Sequence, residues 1–450
     1  MKILQVNCVY GHGSTGKITR DIHHALLARG FESVVCYGRG PKSGETGVHR
    51  TCNEIFGKAN NLISRVTGLM YGGCHFSTRR LMRVIEKEQP DVVHLHCING
   101  YFVNIYSLIQ WLKEKKIKTV LTLHAEFMHT ANCGHALDCE KWKTGCGNCP
   151  RLRQETLSFF IDNTALSFKK MKAAFDGFTE ELRVVSVSPW LMERAEQSPI
   201  LEGKHHSVIL NGIDTEVFQM VDTAALRKEL GLSNEKIIFH ATADFQDDPD
   251  HLKGGYYVLR LAQRLAKDNV KILVAGDHPQ GLQVPENVIL LGKITDQHRL
   301  AAFYAMADLT VISSRRETFS LVTAESLCCG TPVTGFKAGG PERIAISEFT
   351  RFCDWADVDA LEESESSAPG QGSHKWIGLG IGTGLSSVGL AKYNGSQLTE
   401  ADADEAASVG LDQPGEFVLY IRADEVVDTP KTITLKADGY SEISVSIVVV

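Results

Sequence analysis

Two glutamates open the reading. Glu317 and Glu325 stand eight residues apart in Glu317-Thr-Phe-Ser-Leu-Val-Thr-Ala-Glu325, after an apolar run that ends in Ser313-Ser314. Eight residues are about two helical turns, so both carboxylates share one face if 319–329 is helical. Glu317 then lies beside the free N–H groups of a helix start, with Thr318, Phe319 and Ser320 supplying donors for a phosphate or sugar oxygens. The plain alternative is two solvated helix carboxylates. Lys253-Gly254-Gly255 offers a cation before another helical pattern, which suits a phosphate, although a surface lysine has the same local pattern. His124 closes the run Val120-Leu-Thr-Leu-His124, and His94 and His96 end a neighbouring run. Three imidazoles at adjacent strand ends point to a site, where one alone reads as structural.

Gly11-His-Gly-Ser-Thr-Gly-Lys17 follows the first apolar run and opens a helix. The backbone of Gly13, Ser14, Thr15 and Gly16, with Lys17, suits an anion. Ile18 stands where a P-loop needs the hydroxyl that holds magnesium, so the loop reads as metal-free. Cys133, Cys139, Cys146 and Cys149 fall within 17 residues. Four thiolates so spaced could staple a loop around zinc; free thiols or a redox pair at Cys146 and Cys149 are the alternatives. Asp244, Asp247, Asp248 and Asp250 lack calcium-loop spacing and read as an exposed acidic loop. Gly378-x-Gly-x-Gly-x-Gly384 has no following helix and is no dinucleotide fingerprint; Asn394-Gly-Ser396 is a sequon without an export route. Arg79, Arg80 and Arg83, and Lys169, Lys170 and Lys172, lie on amphipathic stretches. They could meet an anionic membrane face or water.

These residues need elements to hold them. Apolar runs at 3–6, 33–37, 92–95, 120–123 and 184–187 alternate with helix-period runs, and the pattern restarts after Pro189 with runs at 207–210, 237–240, 272–275, 288–291, 309–313 and 332–336. Continuous apolar strands joined by helices predict buried parallel sheets, hence two Rossmann-like domains facing a cleft, with ligands beyond the carboxyl ends of the strands. The expected limits are 1–200, with a Cys-rich insertion at 130–150, and 201–361. Residues 362–372 read as a linker and 373–450 as a small antiparallel β domain. Its last strands resemble those of immunoglobulin-like modules. The charge breaks at the same place. Five Lys/Arg stand against twelve Asp/Glu in 364–450, while the rest is neutral, and all twelve cysteines precede residue 354. Lys+Arg 47 against Asp+Glu 54 excludes a generally basic nucleic-acid binder. No apolar run is long enough for a spanning helix, and no export signal is read, so the expectation is a cytoplasmic chain with reduced thiols.

The ordered set of Asn211-Gly-Ile-Asp214, Lys253-Gly254, Glu317-x7-Glu325 and Ala338-Gly-Gly-Pro-Glu342 resembles the family 4 retaining glycosyltransferases of the GT-B fold over about residues 1–361. Thr122-Leu-His-Ala-Glu126 and the segment Cys139–Pro150 look like its colanic acid and O-antigen branch. The resemblance implies a nucleotide-sugar donor, a glycan or lipid-linked acceptor and no metal for chemistry. It implies ribose on Glu325, donor sugar on Glu317 and the 318–320 backbone, diphosphate on Lys253, and His124 beside the transferred sugar. The 13–16 loop would face the phosphates or acceptor. Peripheral contact with the inner membrane is a further implication. Two departures stand out: Ala241-Thr-Ala-Asp244 lacks the arginine often found before Lys-Gly, and Ala125 stands where an aspartate often follows the histidine. The family-like sequence stops near Leu361, where relatives continue in helices that pack back on the first domain. The expectation is weakened closure, with a non-catalytic nucleotide-sugar or carbohydrate-binding protein as the competing function.

Overall fold

A computed structural model describes residues 1–345, 349–366 and, as backbone, five strands beyond residue 374. It divides into two units, Met1–Asn211 and Gly212–Val450.

In the first unit seven strands form one sheet: β1 (Lys2–Asn7), β2 (Glu32–Tyr37), β3 (Val48–Arg50), β4 (Val92–Leu95), β5 (Thr119–Leu123), β6 (Leu182–Ser186) and β7 (His205–Val208). Their order is β3-β2-β1-β4-β5-β6-β7, and every pairing is parallel. Parallel sheets are covered by helices on both faces, so Leu4, Val6, Val93, Leu95, Leu121 and Leu123 are fully buried. The order reverses between β1 and β4, the switch point where such sheets open a crevice. The domain boundary expected at residue 200 falls instead after Asn211, because 205–208 pairs with β6 (Arg183 opposite His205) and closes the first sheet.

The second unit repeats the plan with β8 (Lys236–Asp244), β9 (Val270–Asp277), β10 (Val288–Gly292), β11 (Leu309–Ile312), β12 (Val333–Phe336) and β13 (Thr350–Cys353), ordered β10-β9-β8-β11-β12-β13. All pairings are parallel, and the switch point lies between β8 and β11. Its core joins Ile238, Ile272, Val274 and Val311 to Val258, Leu261 and Leu265 of the helical segment after β8. A helix at Val358–Ser366 runs into the expected linker, because Leu361 is buried in that core. Residues 367–372 lie outside the described residues.

Beyond them, β14 (Lys375–Ile381), β15 (Leu390–Tyr393) and β16 (Phe417–Ala423) form one sheet, and β17 (Val427–Leu435) and β18 (Ile443–Val449) another. The strands β14/β16 and β17/β18 are antiparallel, but β15 runs parallel to β16, so the described pairing is mixed rather than purely antiparallel. Gly378 and Gly380 lie in β14; Gly382, Gly384 and the 394–396 sequon lie outside the described residues.

Candidate active site

In the second unit the candidate residues stand on the two connections that leave the switch point. The first follows β8 and ends in Gly254, which caps the helix Gly255–Arg264 with φ +65°. That left-handed conformation favours glycine. A Cβ there would stand 1.9 Å from the Ser313 carbonyl oxygen, so the two connections touch. Ser313 Oγ donates to the Lys253 carbonyl at 2.9 Å, and the Arg315 N–H donates to that of Leu252 at 2.8 Å. Thus the loop bearing Lys253 is hydrogen-bonded to the loop bearing Glu317.

The second connection follows β11. Glu317 pairs as an isolated parallel bridge with Gly339, its N–H donating to Ala338 and its carbonyl accepting from Gly340. A Cβ on Gly340 would fall 2.6 Å from the Phe319 nitrogen, so only a bare backbone lets 338–340 support 317–319 this closely. Glu342 reaches back and accepts from the N–H groups of Ala338 and Gly339 at 3.0 and 2.8 Å. Thr318, Phe319 and Ser320 are buried. The helix begins at Leu321, not 319, because Ser320 is its cap: φ is +78° and its Oγ accepts from the Thr323 N–H. Glu317 lies ahead of the helix, as expected, but four residues before its first residue rather than two, so the two carboxylates do not share one helical face.

Lys253 Nζ lies 2.6 Å from Glu317 Oε1, with 30% and 21% of the side chains exposed. A pair this accessible is worth about 1 kcal/mol or less, so an anion can displace the carboxylate at small cost. Glu325 Oε2 accepts from the Tyr304 hydroxyl at 3.0 Å. Burial, then the Glu325 carboxylate, holds that phenol well above its ordinary pKa, so it stays a donor. The helix Leu321–Cys328 is pinned beneath by hydroxyls: Ser326 Oγ donates to the Thr331 carbonyl and accepts from Thr310 Oγ1, and Thr331 Oγ1 donates to the Tyr304 carbonyl. Tyr304 and Glu342 went unassigned in the sequence. Tyr304 sits on the buried face of Gln297–Met306, where it reads as core; Glu342 was visible only within its Ala-Gly-Gly-Pro-Glu motif.

The first unit holds the histidines. Gln5 Nε2 donates to the Thr19 carbonyl at 3.3 Å, which turns Gln5 Oε1 toward His96 Nε2 at 3.2 Å. An amide oxygen only accepts, so His96 carries its proton on Nε2. His96 Nδ1 lies 3.2 Å from His124 Nε2, which must then donate. His94 Nε2 meets Thr122 Oγ1 at 2.8 Å and its ring lies 3.9 Å from that of His96. Burial lowers all three: His94 to about 3, His124 to about 4, and His96 well below the usual value. All three are neutral imidazoles at pH 7, with the tautomer of His124 fixed from Gln5.

The 11–17 loop divides by residue. Its helix spans Gly13–Ala28, capped by His12 without a side-chain bond. Gly13 and Ser14 are exposed; Thr15 and Lys17 are half-buried. Gly16 is buried, and a Cβ there would press on Val9 Cγ2 at 3.0 Å, so close packing favours glycine at this position.

The Cys-rich insertion is held without a metal cluster. Among the described residues no three His, Cys, Asp or Glu side chains come together in a metal-binding arrangement. Cys146 Sγ instead donates to the Thr130 carbonyl at 3.5 Å. Burial raises the thiol pKa of Cys133 and Cys149, and that of Cys146 to about 11. The four-thiolate zinc site is therefore not assembled, and Cys139 joins no such group either. What anchors the insertion is Glu126, fully buried, accepting from Arg194 Nε at 2.6 Å and the Ala136 N–H at 2.7 Å. Burial would raise its pKa; His129, Arg194 and that N–H outweigh it and hold it at about 2. Trp142, 1% exposed, packs edge-on to His129 and beneath the Arg194 guanidinium at 4.7 Å.

The acidic loop is as expected at Asp247, Asp248 and Asp250, which are exposed, while half-buried Asp244 contacts His251 Nε2 at 3.4 Å. Among the described residues no helix is long and apolar enough to cross a membrane.

Comparison with known proteins follows this division. The model of Glycosyltransferase Family 4 matches residues 15–217, and that of Glycosyl transferases group 1 matches 224–364. A protein named as a colanic acid biosynthesis glycosyl transferase, WcaC of Escherichia coli (strain K12), is 25% identical over 74% of this chain and 82% of its own. The N-acetyl-alpha-D-glucosaminyl L-malate synthase of Bacillus anthracis is 26% identical over 80% and 85%. Among solved structures, HepE of Anabaena in complex with UDP-glucose superposes with TM-score 0.52 at 16% identity, over 82% of this chain and 89% of that one. WaaG, a glycosyltransferase involved in lipopolysaccharide biosynthesis, gives 0.53 at 12%, over 80% and 88%. At these identities the structural likeness shows the fold alone. With one model matching each unit in chain order, the chain belongs to the group 1 and family 4 glycosyltransferases of the GT-B fold.

Proposed function

We propose that the chain is a retaining hexosyltransferase that moves a sugar from a nucleotide-sugar to a glycan or lipid-linked acceptor in surface polysaccharide biosynthesis, at the cytoplasmic side of the membrane. The observation that carries this reading is the Lys253–Glu317 pair, accessible and set on two hydrogen-bonded loops at a switch point. Lys253 would neutralise the leaving diphosphate, and Glu317 with the 318–320 backbone would hold the donor sugar. Glu325, oriented by Tyr304, would take the ribose. His124, neutral and tautomerically fixed, would accept from a hydroxyl of the transferred sugar. The exposed start of the 13–28 helix would face phosphate or acceptor. The enzyme's contribution would be positioning and charge stabilisation. The names of WcaC and WaaG support the polysaccharide role, and HepE's UDP-glucose supports the donor class. The strands beyond residue 374 are proposed as an immunoglobulin-like interaction module, supported by the alternation of Ser and apolar residues in β18.

The test is a thermal-shift panel of UDP, GDP, ADP and their sugar conjugates on the full chain, followed by turnover with NMR of the product anomer. Ligand at 100 times its Kd stabilises by about 2.7 kcal/mol. A shift in one nucleotide series with a retained anomer is expected; an inverted anomer would overturn retention. A shift without turnover would favour the competing reading, binding without catalysis, which the β strands beyond the matched residues support.

A further inference from the structure

The end of the Cys-rich insertion and the segment after it fold around a pocket of about 450 Å³, in the size range of small-ligand sites. Pro150, Leu152, Phe159 and Phe160 give it apolar surface, and Arg153 and Gln154 give it polar surface. Cys149 also lines it, and burial raises its thiol pKa, so the thiol is neutral. The frame is fixed from behind. The Cys149 N–H donates to Asp162 Oδ2 at 2.5 Å, and Asp162 Oδ1 accepts from the Thr164 N–H at 2.9 Å. Ser158 Oγ donates to the Ile161 carbonyl at 2.8 Å, and the Phe159 N–H to that of Arg65 at 2.9 Å. Arg65 Nε donates to the Leu157 carbonyl at 3.3 Å, and its guanidinium covers one face of Phe159 at 5.1 Å. A Cβ on Gly68 would stand 2.0 Å from the Ile161 carbonyl oxygen. Residues 157–161 are thus held against the helix Glu54–Thr67.

Leu152–Thr156 is a single π-helical turn, a form that recurs at functional sites, and Leu157 follows it at φ +56°. Inside the turn Arg151 pairs with Glu155 at 3.1 Å and passes over the two residues between that line the pocket. Arg153 and Gln154 are exposed and make no ion pair or side-chain hydrogen bond with a described residue. The nearby carboxylates are occupied, Glu155 by Arg151 and Asp162 by the N–H groups of Cys149 and Thr164. The charge left open to a ligand is therefore positive.

We infer that this pocket is a saccharide subsite for an acidic sugar, with the carboxylate on Arg153, a hydroxyl on Gln154 and one ring face on Phe160. A guanidinium fork matches a carboxylate, and a carboxamide can donate to or accept from a hydroxyl. The Phe159 and Phe160 rings lie 6.3 Å apart with planes 52° off parallel, so they do not clamp a flat base between them. A pyranose needs no clamp. Its C–H bonds, polarised by the ring oxygens, rest on the negative face of one aromatic ring. Phe160, 84% exposed, offers such a face. The insertion springs from the carboxyl end of β5, the edge that bears His124, which is where ligands of parallel sheets bind. The sugar is then part of the acceptor glycan, and that assignment alone rests on the transfer reading.

The experiment is a saturation-transfer NMR titration of the full chain with methyl β-D-glucuronide and methyl β-D-galacturonide, each beside its neutral methyl glycoside. We expect at least one acid to bind, and its neutral partner to bind about tenfold or more weakly. Arg153→Gln should bring the acid to the level of the neutral glycoside. Phe160→Ser should weaken the acid about fivefold or more. Both variants should keep the thermal midpoint and the nucleotide shift, and the control Lys267→Gln should keep wild-type sugar binding. No binding of either acid by folded protein, equal binding of acid and neutral glycoside, an equal loss in the control, or full displacement by acetate at matched concentration would overturn the inference. Sugar binding without any nucleotide shift supports the subsite and counts against the transfer reading; a nucleotide shift without sugar binding does the reverse.

Discussion

The two units present their titratable groups in opposite ways. In the first, His94, His96 and His124 are neutral, His96 fully buried and the other two half-buried, and Glu126 is buried charged against Arg194. In the second, Lys253 and Glu317 pair at the surface on loops fixed from below. A buried network is preset: its proton positions follow from packing and change only when packing changes. A half-exposed pair is exchangeable, and the rigidity lies in the backbone beneath it. One switch point therefore stores its precision in side chains, the other in main chain.

The sharpest way to break this contrast is Gly254→Ala. The added Cβ meets the Ser313 carbonyl and sits at φ +65°, so the backbone must move. We expect a loss of about 2 kcal/mol or more of stability and loss of the nucleotide shift, read by thermal melts with and without ligand. Lys253→Ala separates site from scaffold. Stability should change by less than about 1 kcal/mol, because the pair is accessible, while turnover falls about 100-fold or more. A melt that collapses with the lysine would place the rigidity in the ion pair instead.

Acid sharpens the other side. The three histidines have folded pKa values below the unfolded value near 6.5, so between the two only the unfolded chain binds the protons. Stability should fall as pH drops from about 6.5 toward 4, by about 1.4 kcal/mol per pH unit for each such imidazole. Glu126, depressed to about 2, loses its contribution as pH falls below about 4.5 toward that value. Urea titrations across pH 4–7 check the slope; a flat profile would contradict neutral burial. The smallest effect on turnover is at Gln5→Met, which keeps the volume and removes the acceptor for His96. We expect about 1–3 kcal/mol of destabilisation and about tenfold lower turnover with KM little changed. A change in KM alone would point to displacement of the loop rather than loss of the tautomer.

Much of this was legible in the sequence. Apolar runs located the parallel strands because residues such as Val93 and Leu121 must be apolar on both sheet faces. His124 was visible as a chemistry-bearing type at a strand end, Lys253 and Glu317 on the connections that follow strands, and Glu325 on the helix after one of them. What was not legible depended on third parties. The helix start slipped to Leu321 because Ser320 caps it, a property of backbone angle rather than composition. Tyr304 looked like core and is core, yet its hydroxyl orients Glu325. The cysteine spacing suggested zinc, while the actual anchor, Arg194 on Glu126, spans 68 residues of sequence. The pocket at 149–160 hid because the bond that fixes it from behind, Arg65 to the Leu157 carbonyl, spans 92 residues.

That anchor has a consequence for dynamics. The Glu126 N–H donates to the Gly134 carbonyl, and its carboxylate receives the Ala136 N–H, so the start of the insertion is closed on itself and bolted to Arg194. In deuterium exchange, the amides of Glu126 and Ala136 should therefore behave as core. They should exchange at the slow pace of sheet hydrogens, in a stretch that sequence alone would assign to the fast-exchanging surface.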